Sequence, residues 1–345
     1  MSLPLGASTD RPATIHDVAA LSGVAASTVS RALSTPERVN IRTRVKIEAA
    51  AAQLHYIPNS QAKALSSGRT GAVAVLVADI TNPFYFDIIR GTQLQLKAAG
   101  YTQLLVDTEE SEDVEAGALE QLRRTADGVI LTASRLSDED LLAASAKLPI
   151  VTINREVDGI PSVILDTPTA TNQALDHLIS LGHTKIAYIA GPDASMSSHR
   201  RWQALEPAAL ERNVEVRKLG PFAPRTHSGA AAADAAVHSG ATAAIVFNDL
   251  IAIGMLQRLR ERGVAVPADM SIVGCDDIFG ADFCSPPLTT VTAPVEQAGR
   301  TAVTMLLGQI SPQFSATARR QAVLPTFLTI RASTGPAPLP PAQRV

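Results

Sequence analysis

Between residues 14 and 56 the apolar positions recur with a helical period, broken once by a glycine. Ile15, Val18 and Ala19 make one face of a short helix, with Thr14 a good N-cap and Asp17 an acid in the first turn, where it suits the helix dipole. Gly23 stands where the chain must turn, and Val24 follows to plug the crevice. A second helix opens at Ala26 or Ser27 and runs to about Leu33. Val29 and Leu33 lie four apart on its inner face, which leaves Ala26, Ser27, Ser30 and Arg31 outward. Asn40 caps a third helix, whose Val45, Ala49, Ala52 and Tyr56 share one face, and Pro58 ends it. This is an all-α three-helix unit of helix-turn-helix type over residues 12–58. A hinge helix or linker follows over 59–70 and ends in a flexible Ser/Gly stretch.

From residue 71 the period changes. Short, nearly continuous apolar runs at 72–78, 127–131, 150–153, 186–190, 243–247 and 271–274 read as strands buried on both faces, and helical patterns at 86–99, 115–125, 170–181 and 250–262 lie between them. Such alternation predicts an α/β body of parallel, doubly wound sheets. Some 265 residues are too many for one core of this kind and suit two lobes. Ligands of such sheets bind at the carboxyl ends of the strands. There the sequence places Asp79, Asn82 and Phe84, then Asn154 and Arg155, Asn248 and Asp249, and Cys275, Asp276 and Asp277. Carboxylates, amides and guanidiniums hydrogen-bond polyol hydroxyls, while an aromatic face covers an apolar ring edge. Asn82, before Pro83, also suits a plain turn, and Asp249 reads as a helix N-cap.

Charge separates the two parts. Residues 1–70 carry eight Lys/Arg against four Asp/Glu, a balance of +4, whereas the whole chain is −3, which leaves −7 for the remainder. A basic head on an acidic body fits phosphate contact by the head alone. Enzyme motifs of the G-x-S-x-G, G-x-x-x-x-G-K-[ST], H-E-x-x-H and G-x-G-x-x-G kinds are absent, and the seven His are scattered, with His177 and His183 read as surface or cap residues. Two cysteines, Cys275 and Cys284, make neither a zinc finger nor a disulfide framework, so neither cofactor nor metal is expected and a reducing cytoplasm is. Residues 1–11 lack the pattern of a secretory signal, and no run reaches 18 apolar residues, so no membrane role is expected. The proline-rich tail, 333–345, reads as disordered.

Four motifs, Asp17-Val-Ala, Thr28-Val-Ser-Arg31, Tyr56-Ile-Pro-Asn59 and Ala62-Lys-Ala-Leu65, stand in the order and spacing of the lac repressor/galactose repressor family of bacterial transcription factors. The chain resembles that family over nearly its whole length. The resemblance implies a two-lobed core like that of periplasmic sugar-binding proteins over 71–332, with lobe one from 71–166 and 293–322 and lobe two from 167–292 and 323–332. It places Ala26, Ser27 and Arg31 at base edges in the major groove, Arg31 able to pair with guanine bidentately. Thr14, Ser30, Arg38, Thr43, Tyr56, Asn59, Ala62 and Lys63 complete the DNA-facing set, with hydroxyl or amide groups that touch phosphate at Thr14, Ser30, Thr43, Tyr56 and Asn59. Leu65 matches a hinge leucine wedged into the minor groove at the operator centre. In the cleft, the implied effector contacts are Asn82, Phe84, Arg155, Arg201, Asn248 and Asp276.

This sequence also departs from the family pattern. Ala25 and Ala204 replace a small hydroxyl residue and a glycine, and Trp202 beside Arg201 is expected to take over a cleft contact. Ala293 and Cys275 replace a glutamine and a tyrosine, which suggests a roomier pocket or another effector class. The expected protein is a repressor that binds a pseudopalindromic operator as a homodimer and answers to a sugar or sugar derivative. Its rivals are a carbohydrate-binding protein without a transcriptional role and an enzyme on the same scaffold.

Overall fold

A computed structural model describes residues 11–34, 36–56, 69–310 and 320–338. The chain divides into two units, residues 1–70 and 71–345.

The first unit holds helices α1 (Ile15–Ser22), α2 (Ala26–Ser34) and α3 (Ile41–Gln53), with a 3-10 turn at Pro36–Arg38. Thr14 starts α1 in a reciprocal cap: its backbone N–H and its hydroxyl both donate to Asp17 Oδ2, at 2.8 and 2.7 Å. Gly23 closes α1 at φ +69°, and the Val24 N–H returns to the Ala19 carbonyl. Asn40 caps α3 by accepting from the Arg42 N–H at 2.9 Å. Val18, Val29, Ala32, Ile47 and Ala50 form the core. The face expected for α3 is therefore wrong: Val45 is 55 % exposed, Ala49 and Ala52 are exposed, and the buried stripe runs through Ile47 and Ala50. Alanines on every side of α3 blur its period, and the one large residue that α1 and α2 can enclose decides which face turns inward. Hinge positions Asn59, Ala62, Lys63 and Leu65 lie outside the described residues.

The second unit contains two six-stranded sheets. Its strands are β1 (Ala72–Val77), β2 (Thr102–Asp107), β3 (Gly128–Thr132), β4 (Ile150–Ile153), β5 (Ser162–Leu165), β6 (Lys185–Ile189), β7 (Glu215–Leu219), β8 (Ala243–Val246), β9 (Ser271–Cys275), β10 (Thr289–Thr292), β11 (Gln321–Leu324) and β12 (Phe327–Thr329). Lobe one has the order β11-β5-β4-β3-β1-β2, parallel throughout. Lobe two has the order β12-β10-β9-β8-β6-β7, parallel except for β12, which runs antiparallel to β10. Helices α4 (Phe84–Ala98) and α11 (Val295–Ile310) cover one face of the first sheet, and α5 (Glu112–Leu122) and α6 (Asp138–Ser145) the other. In lobe two the pairs are α7 (Thr167–Ser180) with α8 (Met196–Glu211), and α9 (Gly229–His238) with α10 (Asp249–Glu261). The chain thus passes between lobes three times, after β5, β10 and β11.

Two boundaries differ from expectation. Strand β11 carries lobe one to Leu324, because Val323 and Leu324 pair with Ile164 and Leu165, so the final crossing lies at residues 325–326 and not at 322. The tail expected to be disordered from 333 is docked as far as it is described. Ser333 is fully buried, its Oγ donates to the Ile272 carbonyl, Gly335 N donates to Ser271 Oγ, and Ala337 N donates to the Leu181 carbonyl. Proline count misled here: prolines at 336 and 338 remove donors this segment does not need, while its remaining amides reach lobe two. His183, read as a surface or cap residue, is buried beneath this strap. Its Nε2 donates to the Gly335 carbonyl at 3.1 Å and its Nδ1 accepts from Thr242 Oγ1 at 2.8 Å.

Candidate functional site

On α2 the helical period of about 100° per residue puts Ser27, Ser30 and Arg31 on one face, within an arc of about 100°, opposite Val29 and Ala32. All three are exposed, and Ala26 flanks them half-buried. Arg38 is exposed on the 3-10 turn, while Thr14, Thr43 and Tyr56 are half-buried. The Thr14 hydroxyl is engaged in the cap. Asp17 is held at about 2 by the Thr14 amide and hydroxyl and by Arg11, so it stays ionised and the cap stays shut at neutral pH.

In the second unit a cleft opens at the carboxyl ends of the strands, lined by both lobes. Its walls are turns that follow strands, and four of them place a non-glycine residue at positive φ: Glu110 (+57°) after β2, Ala133 (+51°) after β3, Asn154 (+59°) after β4 and Asp276 (+115°) after β9. Left-handed non-glycine backbone is costly and concentrates where side chains must be aimed.

Five of the seven expected effector contacts line the cleft: Asn82, Phe84, Arg201, Asn248 and Asp276. Asn82 doubles as the turn residue, its Oδ1 accepting from the Phe84 N–H at 3.1 Å. Arg201 reaches from α8 with only 6 % exposure; its Nε donates to Thr167 Oγ1 at 3.1 Å, Nη1 donates to the Phe247 carbonyl, and the guanidinium lies 5.1 Å from the Phe247 ring centre. Asn248 is the true N-cap of α10, accepting from Ile251 N at 3.0 Å and donating to the Pro224 carbonyl at 3.3 Å, so its amide is already engaged. Asp249 is not the cap. It is buried behind the cleft, taking Thr290 Oγ1 at 2.6 Å and Ile278 N at 3.0 Å, and burial raises it to about 6. Burial pushes Asp276 up to about 8, against the pull of Arg201 and a hydrogen bond from the Cys275 thiol and with the help of Asp249.

Arg155 and Trp202 do not line the cleft. Arg155 turns back into lobe one, where Nη2 donates to the Leu136 carbonyl at 3.0 Å and to Asp138 Oδ1 at 2.7 Å, and its neighbour Asn154 faces the cleft instead. Trp202 lies one residue, about 100°, around α8 from Arg201 and stacks on Tyr188 in the lobe-two core at 5.6 Å. Ala293 and Cys275 both line the cleft. Sequence reasoning missed Tyr85, Glu110, Arg135, Phe247 and the serines at 195 and 197. Glu110 and Arg135 follow strands as the rule requires, but β2 was not recognised as a strand and Arg135 lies three residues past β3.

Residues 14–59 match bacterial regulatory proteins of the lacI family, and residues 175–334 match a periplasmic binding protein-like domain. Over 337 residues the chain is 32 % identical to the HTH-type transcriptional regulator DegA of Bacillus subtilis (strain 168), covering 94 % of this chain and 98 % of that one. The crystal structure of the lac repressor dimer bound to operator and the anti-inducer ONPF is similar with a TM-score of 0.83 and 28 % identity, covering 94 % and 100 % of the two chains. The complex of the transcriptional regulator CelR with cellobiose gives a TM-score of 0.68 at 30 % identity over 93 % and 99 %. The match over 14–59 disposes of a carbohydrate-binding protein without a transcriptional role. Among the described residues no helix is long and apolar enough to cross a membrane. The chain belongs to the lacI family of bacterial regulatory proteins.

Proposed function

We propose that this protein is a cytoplasmic, non-enzymatic repressor that binds a pseudopalindromic operator as a homodimer and releases or takes up DNA when a small carbohydrate-like effector, a sugar or sugar derivative, binds its cleft. The observation that carries this is the presence, in one chain, of an exposed Ser27/Ser30/Arg31 helix face and a polar cleft at the carboxyl ends of two parallel sheets. Arg31 reads a base, since a guanidinium offers a bidentate donor pair to guanine, whereas Ala26 and Ser27 contribute at most a methyl contact and one hydrogen bond. Ser30, Arg38, Thr43, Tyr56 and Asn59 hold the backbone phosphates, with Ala62 and Lys63 in the hinge, while Thr14, whose amide and hydroxyl both donate to Asp17, serves as the cap beside them; Leu65 opens the central step from the minor groove. In the cleft, Asn82, Phe84, Arg201, Asn248 and Asp276 receive the effector. Two copies follow from the small footprint of a single helix-turn-helix and from the lac repressor relative, which is a dimer on operator DNA.

Operator binding by fluorescence anisotropy, with and without sugars, tests this. The affinity falls on a log–log salt plot by about 0.9 per phosphate neutralised, and Arg31→Ala costs about 1–3 kcal/mol on the cognate site while leaving that slope nearly unchanged. A flat salt response, or an effector that binds without altering operator affinity, overturns the reading.

A further inference from the structure

Two ion pairs join the lobes. Arg225 of lobe two has its Nε 3.7 Å from Asp79 Oδ2 of lobe one, and Arg200 of lobe two donates through Nη2 to Glu156 Oε2 of lobe one. Both carboxylates are shared out in the same way. Asp79 Oδ1 accepts from its own turn, from the Thr81 N–H at 2.9 Å and the Thr81 hydroxyl at 2.5 Å, which leaves Oδ2 to face Arg225. Glu156 Oε1 accepts from Gln321 Nε2 on β11 at 2.7 Å, which leaves Oε2 to Arg200. Each carboxylate is thus held on one oxygen by lobe one and presented on the other to lobe two. The pairs also lie on different layers. Asp79 opens the turn into α4 and Arg225 the 3-10 turn Thr226–Ser228 before α9, whereas Glu156 belongs to the hairpin whose Val157 and Ile160 pack with α5 and α6, and Arg200 lies in α8. Since α4 and α5/α6 cover opposite faces of the first sheet, as α9 and α8 do of the second, the pairs flank the cleft on its two sides.

From this we propose that Asp79–Arg225 and Glu156–Arg200 form a double latch that holds the two lobes closed and that ionic strength tunes. Lobes joined only by chain crossings after β5, β10 and β11 can turn about those crossings, and such a turn parts both pairs while the Thr81 and Gln321 bonds, which stay within lobe one, survive it. The carboxylates therefore remain aimed when the lobes part, and reclosure finds them in place. The pairs are partly exposed, with side-chain exposures of 48 % and 13 % for Arg225 and Asp79 and 31 % and 44 % for Arg200 and Glu156, so each biases the closed-to-open ratio by roughly two- to fivefold, and the two multiply because they share no residue. A ligand gripped by both lobes binds the closed form, so its apparent affinity rises in step with the closed population. The latch thereby gives effector binding a salt dependence of its own, separate from that of the DNA-binding head.

The test is the inter-lobe distance in the full-length, ligand-free protein, read by double electron–electron resonance between nitroxides at Glu139→Cys on α6 and Gln203→Cys on α8, both exposed, in a Cys284→Ser background; Cys275 is buried and stays. In about 0.1 M salt the short distance should dominate, and a longer component should grow toward about 1 M, where the screening length contracts from about 10 Å to about 3 Å. Asp79→Asn combined with Glu156→Gln should show the longer component already at the lower salt, with the closed-to-open ratio reduced roughly four- to twenty-five-fold and its salt response gone. Glu156→Arg alone, which sets two guanidiniums against each other, should open the lobes further, and adding Arg200→Glu should close them again, since Gln321 can turn its amide oxygen to the new arginine. Distances that ignore both salt and the paired neutralisation overturn the latch. An opening in Glu156→Arg that Arg200→Glu fails to reverse overturns it equally, because the change then acts through something other than the pair.

Discussion

Asp276 is a carboxylate that the fold tolerates at a cost, and replacing it with asparagine separates that cost from its use. Its ordinary value is 3.8 and burial raises it to about 8, so between those values the folded chain binds a proton that the unfolded chain has lost. Stability from this group is therefore greatest in acid and falls as pH rises from about 4 to 8. Other groups act on the acid side of that window. Asp249, raised to about 6, and Glu110 and Glu115, also raised by burial, have the same sign, and His177 and His183, lowered by burial from 6.5, have the opposite one, since they must charge in acid. From pH 6.5 to 8 Asp276 dominates. Over that interval the full linkage is about 2 kcal/mol; the residue as a whole is only half-buried and its carboxyl is coupled to Arg201, Asp249 and the Cys275 thiol, which reduces the expected loss to roughly 1 kcal/mol. In Asp276→Asn the side chain is neutral throughout, and asparagine accepts the left-handed backbone that aspartate already occupies at +115°. Scanning calorimetry of the ligand-free protein should show the wild-type unfolding temperature declining by about 2–4 °C from pH 6.5 to 8, and the variant flat and about 5 °C more stable at pH 8. The same variant should lose effector affinity, the usual exchange of function for stability. A wild-type profile that is flat over this interval, or a variant that keeps the wild-type slope, refutes the assignment of a buried, largely protonated Asp276.

Three further perturbations read other parts of the structure. Gly23→Ala places a Cβ on a residue at φ +69° with open space around it, so the cost is conformational alone, about 1 kcal/mol, seen as a lower melting temperature of the helix-turn-helix unit by circular dichroism. Gly274→Ala sets a Cβ 2.0 Å from Asp249 Oδ1, which Thr290 and the Ile278 amide hold in place; a loss above about 2 kcal/mol is expected in chemical denaturation, and a near-neutral effect would mean Asp249 is not pinned. His183→Phe takes one partner each from the Gly335 carbonyl, which keeps Ser271 Oγ at 3.2 Å, and the Thr242 hydroxyl, which keeps the Lys185 carbonyl at 3.4 Å; this costs about 1 kcal/mol and speeds hydrogen exchange in residues 333–337, and in the wild type the same protection should fade as pH falls below 6.5, because the buried ring then takes up a proton more readily in the unfolded chain.

How far the sequence revealed this fold depended on where each segment lies in it. Central strands such as β1, β3 and β8 are apolar on both faces and stand out as continuous runs, whereas β7, with Glu215, Arg217 and Lys218, and β2, with Gln103 and Asp107, are sheet edges whose polar positions meet solvent and erase the run. Missing β2 also hid Glu110, since the rule that ligands meet the carboxyl ends of strands can be applied only to strands that have been found. Arg155 and Trp202 failed for a different reason. Each is adjacent in sequence to a residue that does face the cleft, Asn154 and Arg201, and one step along a turn or a helix rotates a side chain to another wall. Residue type gave no warning, because arginine and tryptophan are as suited to a sugar site as to an internal ion pair or a core stack. What would have given it is the backbone: Asn154, Ala133, Glu110 and Asp276 all sit at positive φ directly on the cleft, and of these only asparagine and aspartate hint at that conformation in the sequence. The cleft is thus written less in its polar residues than in the strained turns that aim them, and those turns are stable only because two lobes, joined by three chain crossings, hold their strands in register.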